Sequence, residues 1–319
     1  MQDSPDILEN TLRKHPRLLE ILLMDHSTTT KSKVHNILWA TDSYKGHDPK
    51  NEIKINDITG INTELIQPRI SKSKEEQKSR TKDKAEVFTP KEIVDQMNKQ
   101  VDNECGHWPA TEENWKEYIA ENRLEITCGE APFIVGRYNA ANGKKILDLK
   151  NRVGFLDRKL QVVNEFCKDR ESWLEWTIKA FKSSYGYEWQ GDNLLLAREN
   201  LLYTFIDYYN AKFEDTINLE EKLSDEQLEL LQEIATIISW NIFQMDGIKF
   251  VIPMSCKNEK IQTNEDIPLL IELGYEEPEF EETRCPGCKN NDPKTHNGKP
   301  AWIMDWEAGK RIKFNSLIK

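Results

Sequence analysis

No run of apolar residues in this chain of 319 approaches the roughly 18 needed to cross a bilayer. The hydrophobic share is 38%, low beside the typical ~45–50% of a globular protein. Glycine and proline number only 14 and 13, far from a collagen-like composition. Nine Trp, nine Tyr and eleven Phe still supply material for a core, which excludes wholesale disorder. The opening residues are acidic and lack the charged-then-apolar plan of a secretory leader. Six cysteines in so long a chain without that leader point to reduced thiols or a metal site in a cytoplasmic protein, with no membrane partner.

Net charge is -11, which argues against a generic nucleic-acid coat, but the charge is unevenly spread. Stretches 214–233 and 265–282 carry net -7 and -8, whereas 69–84 carries net +4. That basic strip has almost no apolar content and reads as a solvated linker within reach of phosphates. It divides the chain into a mostly helical region 1–68, the linker 69–84, a cofactor-binding domain 85–252 and a C-terminal segment 253–319.

Apolar spacing predicts a helix over 5–24, kinked at Pro16. A short strand is expected at 86–88, with Thr89 as N-cap and Pro90 at the first position of a helix over 91–101. Further strands are expected at 123–127, 185–188 and 239–245. Helices are expected from 133, over 155–183, over 193–209 capped by Asp192, and over 227–238. This alternation predicts a parallel α/β sheet. Segments 301–304 and 311–314 suit a β-hairpin.

In an open α/β sheet, ligands bind beyond the carboxyl ends of the strands. Three predicted strand ends carry fitting residues: Glu125 through Cys128 and Gly129, then Glu188, then Asp246. Gly129 permits close backbone approach. Glu188 suits a pair of ribose hydroxyls, and Asp246 an exocyclic amine. Their order points to an adenosine-containing cofactor. Separately, Cys285-Pro286-Gly287-Cys288 is the tight knuckle of zinc ribbons; Cys256 and His296 complete a four-ligand set. Unligated thiols are the plainer alternative.

These motifs resemble DNA adenine-N6 methyltransferases in which the cofactor motifs precede the catalytic one. Ala85-Glu86-Val87-Phe88-Thr89-Pro90 is similar to their opening motif, and 125–133 to their DPACGSGxF loop. Residues 184–201 and 242–247 are similar to the second and third motifs. The resemblance implies a Rossmann-like methyltransferase fold, S-adenosylmethionine as cofactor, DNA as partner, and restriction-modification as context. It places Phe88, Thr89, Pro90, Glu125, Cys128, Gly129, Glu188 and Asp246 at the cofactor. The sequence departs from the family at Glu125, Ile126 and Ala131, where Asp, Pro and Gly are usual. The family's [DNS]-P-P-[YFW] catalytic motif is absent, and the latter part of its sheet is missing. Asp305 and Trp306 are the nearest catalytic substitutes, offering an acceptor and a stacking ring. An inactive, cofactor- or DNA-binding relative is the rival expectation. So is half of a split enzyme whose partner subunit supplies the catalytic or recognition elements.

Overall fold

The computed structural model describes residues 10–84, 89–139, 143–262 and 280–318. The expected strand at 86–88, and Phe88 with it, lies outside those residues, as do the first residues of the 5–24 helix. At its centre is a three-stranded sheet with the order β1 (Arg123–Glu125), β2 (Ser184–Glu188) and β3 (Ile242–Gln244). Both pairings are parallel, with Arg123 opposite Ser184 and Gly186 opposite Ile242. The protein is therefore mixed α/β, with a sheet smaller than most. Among the described residues, no helix is long and apolar enough to cross a membrane.

Residues 11–14 form one 3-10 turn, and α1 (Pro16–Leu23) starts afresh with the proline in its first turn. That proline lacks only an N–H that would have been unpaired. Four leucines of α1 are fully buried against the later helices. A short α2 (Ile55–Ile58) follows. The basic strip is not a linker. It folds as a 3-10 turn and the helix α3 (Lys74–Lys84), with Arg69, Lys72 and Arg80 buried. Arg80 Nη2 lies 2.6 Å from an Asp192 carboxylate oxygen, and Lys72 Nζ lies 3.9 Å from it. Asp192 is thus no exposed helix cap. It is fully buried and also accepts the Tyr44 hydroxyl at 2.7 Å.

Helix α4 (Lys91–Glu104) has Pro90 rather than Thr89 at its N-cap, one position later than expected. Helix α5 (Trp115–Ala120) leads into β1. No regular helix starts at 133. Residues 131–135 make a single turn, whose Phe133 and Ile134 carbonyls accept from Phe155 and Leu156 at the start of α6 (Phe155–Phe166). Gly154 is required there, since a Cβ would lie 2.2 Å from the Ile134 carbonyl oxygen. The helix after β1 is in effect interrupted between the turn at 131–135 and α6.

The expected helix over 155–183 is two helices. Asp169 accepts from the Ser172 N–H at 2.8 Å, capping a new start at α7 (Arg170–Lys182). The buried helix α8 (Gly191–Lys212) and α9 (Asp225–Asn241) complete the core. A capping box between Ser224 and Gln227 opens α9, which runs directly into β3. Two antiparallel pairs follow: β4 (Glu259–Gln262) with β5 (Phe280–Thr283), and the expected hairpin β6 (Trp302–Asp305) with β7 (Lys310–Lys313).

Buried charge fastens the layers. Asp102 accepts from Arg123 at 2.6 Å, Arg158 at 2.9 Å and the Tyr118 hydroxyl at 3.0 Å. Among the described residues, the Arg198 guanidinium donates to the carbonyls of Leu22, Met24, Ser239 and Ile242. Burial brings its pKa down to about 10. Lys159 donates to the Glu121 carbonyl and to Ser183, and burial drives its pKa well below the usual lysine value.

Candidate functional site

A cavity of about 720 Å³ opens beyond the carboxyl ends of β1 and β2, within the ~300–1,000 Å³ typical of small-ligand sites. Its floor is the turn after β1. The Cys128 N–H donates to the Tyr187 carbonyl at 2.8 Å, extending the β1–β2 pairing past the strand. Gly186 of β2 makes room for this turn, because a Cβ there would lie 2.9 Å from Ile134 and 3.3 Å from Cys128. Thr127, Gly129 and Ala131 all adopt positive φ, of 46°, 54° and 65°. Only the middle one is a glycine. Ala131 holds a left-handed conformation that the glycine usual in the resembling loop would adopt without strain.

Glu188 ends β2 and faces this turn. One carboxylate oxygen accepts from the Gly129 N–H at 2.8 Å, the other from the Gln190 N–H at 3.1 Å. Burial pushes its pKa up to about 7, against the opposing pull of those two donors. Glu125 is also buried, and its carboxylate accepts from Phe133 at 3.3 Å and Ile134 at 3.1 Å. Burial, with repulsion from Glu188 added, raises its pKa well above the usual range. The Glu125 carboxylate thereby closes the loop onto itself.

Thr89, Glu125, Cys128, Gly129 and Glu188 all line the cavity, so five of the expected residues converge. Pro90 is exposed and outside the lining. Asp246 also lies outside it. Its carboxylate accepts from the Ile248 and Lys249 N–H groups at 3.0 Å, capping its own turn. The end of β3 is occupied by the chain itself: Gln244 accepts from the Leu38 N–H at 2.7 Å and donates to the Leu38 carbonyl at 2.8 Å. This brings the 38–40 segment to the cavity wall, where Trp189 donates to the Ala40 carbonyl at 3.0 Å.

Asp305 and Trp306 stand elsewhere. Trp306 Nε1 donates to Asn241 at 2.8 Å, just before β3, and the Tyr185 hydroxyl donates to the Met304 carbonyl at 3.3 Å. Both contacts lie toward the amino ends of the strands, opposite the cavity. Asp305 caps the hairpin turn by accepting from Glu307 and Ala308.

Further residues complete the cavity. Trp189 and Asn193 follow directly on Glu188, and Arg69, Lys82, Glu130 and Tyr138 contribute polar groups. Glu130 accepts the Arg69 N–H at 2.6 Å and the Tyr138 hydroxyl. Position next to Glu188 was the available signal for Trp189 and Asn193, and the basic strip 69–84 for Arg69 and Lys82; none existed for Tyr138. A second cluster, remote in sequence, gathers Cys256, Cys285, Cys288 and His296, with their ligand atoms all within 4.8 Å of one another. No family model matches this chain, and neither the curated proteins nor the solved structures include a match.

Proposed function

We propose that this chain binds S-adenosylmethionine in the cavity beyond β1 and β2, as a protein of the DNA adenine-N6 methyltransferase type found in restriction-modification systems. The supporting observation is the convergence of Cys128-Gly129 and Glu188 at adjacent parallel strand ends, in the order the sequence motifs required. Glu188 would accept the two ribose hydroxyls, Gly129 would allow backbone approach, and Trp189 would offer an apolar face to the adenine ring. Acidic and basic side chains share the lining, which suits a ligand carrying a carboxylate, an ammonium and a sulfonium. The fold in this reading is a Rossmann-like methyltransferase sheet reduced to its first three strands.

Methyl transfer in such a protein needs little acid–base chemistry. The adenine N6 lone pair attacks the methyl carbon, the sulfonium leaves as a neutral thioether, and the N6 proton passes to solvent. Positioning in line supplies most of the acceleration. A flipped adenine must have its amine held, however, and this chain lacks the proline motif that would hold it. The site of Asp305 and Trp306 at the opposite end of the sheet favours a second form of the proposal. Here the chain is a cofactor-binding subunit, and a partner brings the catalytic motif or the assembly acts on DNA without catalysis by this chain. Incubation with methyl-labelled cofactor and DNA, with and without candidate partner subunits, separates these forms. Retention of label by the chain alone, with transfer only when a partner is added, is expected. Failure to retain label under any condition would refute both.

A further inference from the structure

The cysteines and histidine after β3 were separated by up to forty positions in the chain, yet the fold brings them to one point. His296 Nδ1 lies 3.6 Å from the Cys256 Sγ, 3.6 Å from the Cys285 Sγ and 3.7 Å from the Cys288 Sγ. A tetrahedral zinc with Zn–S of about 2.3 Å and Zn–N of about 2.0–2.1 Å demands a sulfur-to-nitrogen edge of about 3.5–3.6 Å. The three separations meet that edge. All six cysteines are free thiols, so a disulfide does not account for the approach.

The surroundings are shaped for the same purpose. A Cβ on Gly287 would lie 2.6 Å from the His296 ring, so the knuckle glycine is what admits the imidazole. The Asn297 N–H donates to the Cys285 sulfur at 3.2 Å, the kind of outer hydrogen bond that orients a thiolate ligand. The Asn297 side chain then bridges Lys257, accepting from its N–H at 3.0 Å and donating to its carbonyl at 2.8 Å. That bridge fixes Cys256 beside His296.

We infer that Cys256, Cys285, Cys288 and His296 hold one zinc ion in a closed, four-ligand structural site. Three thiols release their protons to solvent on binding, and His296 ligates through Nδ1 with its proton on Nε2. With every position filled by protein, the ion has no open place for water or substrate. Its task is mechanical. Among the described residues, the two limbs of the segment between β3 and the final hairpin are joined by backbone bonds from the Ile252 N–H to the Lys299 carbonyl and from the Ala301 N–H to the Phe250 carbonyl. The metal closes the long excursion 256–296 and so sets the position of those bonds.

Metal analysis of the full-length chain, purified under reducing conditions without chelator or histidine tag, tests this directly. One zinc per chain is expected. Replacement by cobalt should give the intense visible bands of tetrahedral thiolate coordination, saturating at one equivalent. Cys288→Ser and His296→Ala should lower metal retention at least tenfold, while Cys105→Ser, outside the cluster, should leave it unchanged. If the cluster variants do not fold, the cobalt titration of the unaltered chain decides alone. A chain free of zinc whose cobalt spectrum is weak and octahedral would overturn the site. So would a mass showing a disulfide between two of these cysteines.

Discussion

Replacing Glu188 with Gln should stabilise the free protein at high pH while weakening its ligand binding. The carboxyl is 6% exposed, and burial lifts its pKa from the ordinary 4.5 to about 7. A raised acid pKa means the folded state holds its proton more tightly than the unfolded state. Stability from this group is therefore complete below the ordinary value, falls as pH rises, and is lost above about 7. At about 1.4 kcal/mol per pH unit, the full loss is on the order of 3 kcal/mol. Glutamine has the shape of the protonated acid and one acceptor for the Gly129 or Gln190 N–H. The variant should match the parent within about 1 kcal/mol near pH 5. Near pH 8 it should be more stable by up to about 3 kcal/mol. Relief of repulsion on Glu125 acts in the same direction. Urea unfolding at several pH values, with unchanged m-values, provides the measurement. A variant less stable than the parent at pH 8 would refute the reasoning, because the carboxylate would then be a structural cap. A site that sacrifices stability for an ionisable group at the cavity floor is what ligand binding requires.

Other consequences follow from the same structure. Asp192→Ala removes a buried carboxylate that meets Arg80, Lys72 and the Tyr44 hydroxyl and should cost about 3–5 kcal/mol, read by thermal or urea unfolding. Ala131→Gly relieves a left-handed alanine at φ 65° and should stabilise by about 1 kcal/mol; a loss of stability would show that the methyl packs usefully in the floor. Lys74, Lys78 and Lys82 form an exposed stripe along α3, and Lys82 also lines the cavity. If the three engage DNA phosphates, their replacement by Gln should flatten the log affinity–log salt slope by about 2.7. An unchanged slope would place DNA on another surface.

The sheet and the cavity floor were legible in the sequence because they rest on local signals. Each central strand is short and followed by a polar or glycine turn, and parallel order follows from the helices between. The hairpin 302–313 was legible for the same reason. What escaped was buried charge. Asp157, Arg158 and Lys159 are three consecutive charged residues near the start of α6, yet all three are buried. They bind the Gly136 N–H, Asp102 with Asp95, and Ser183, respectively. Arg69, Lys72 and Arg80 made 69–84 look like linker for the same reason. Hydropathy assigns charge outward, and the partners that reverse this lie far off in the chain, Asp192 more than a hundred residues away. Asp246 stands outside the cavity lining for a different cause. Its position at a strand end was correct, but nothing local showed that Leu38 would fold back to occupy the end of β3.

The proposed function requires one adenosine-containing ligand in one cavity, and calorimetric titration of S-adenosylmethionine and its demethylated product tests that directly. Binding at a single site is expected, with Glu188→Ala weakening it by roughly 1.5–3 kcal/mol, the scale of hydrogen bonds to a charged group. Asp246→Asn, outside the lining, should change it little. Absence of heat and of any thermal shift at millimolar cofactor would contradict the account, as would binding indifferent to Glu188.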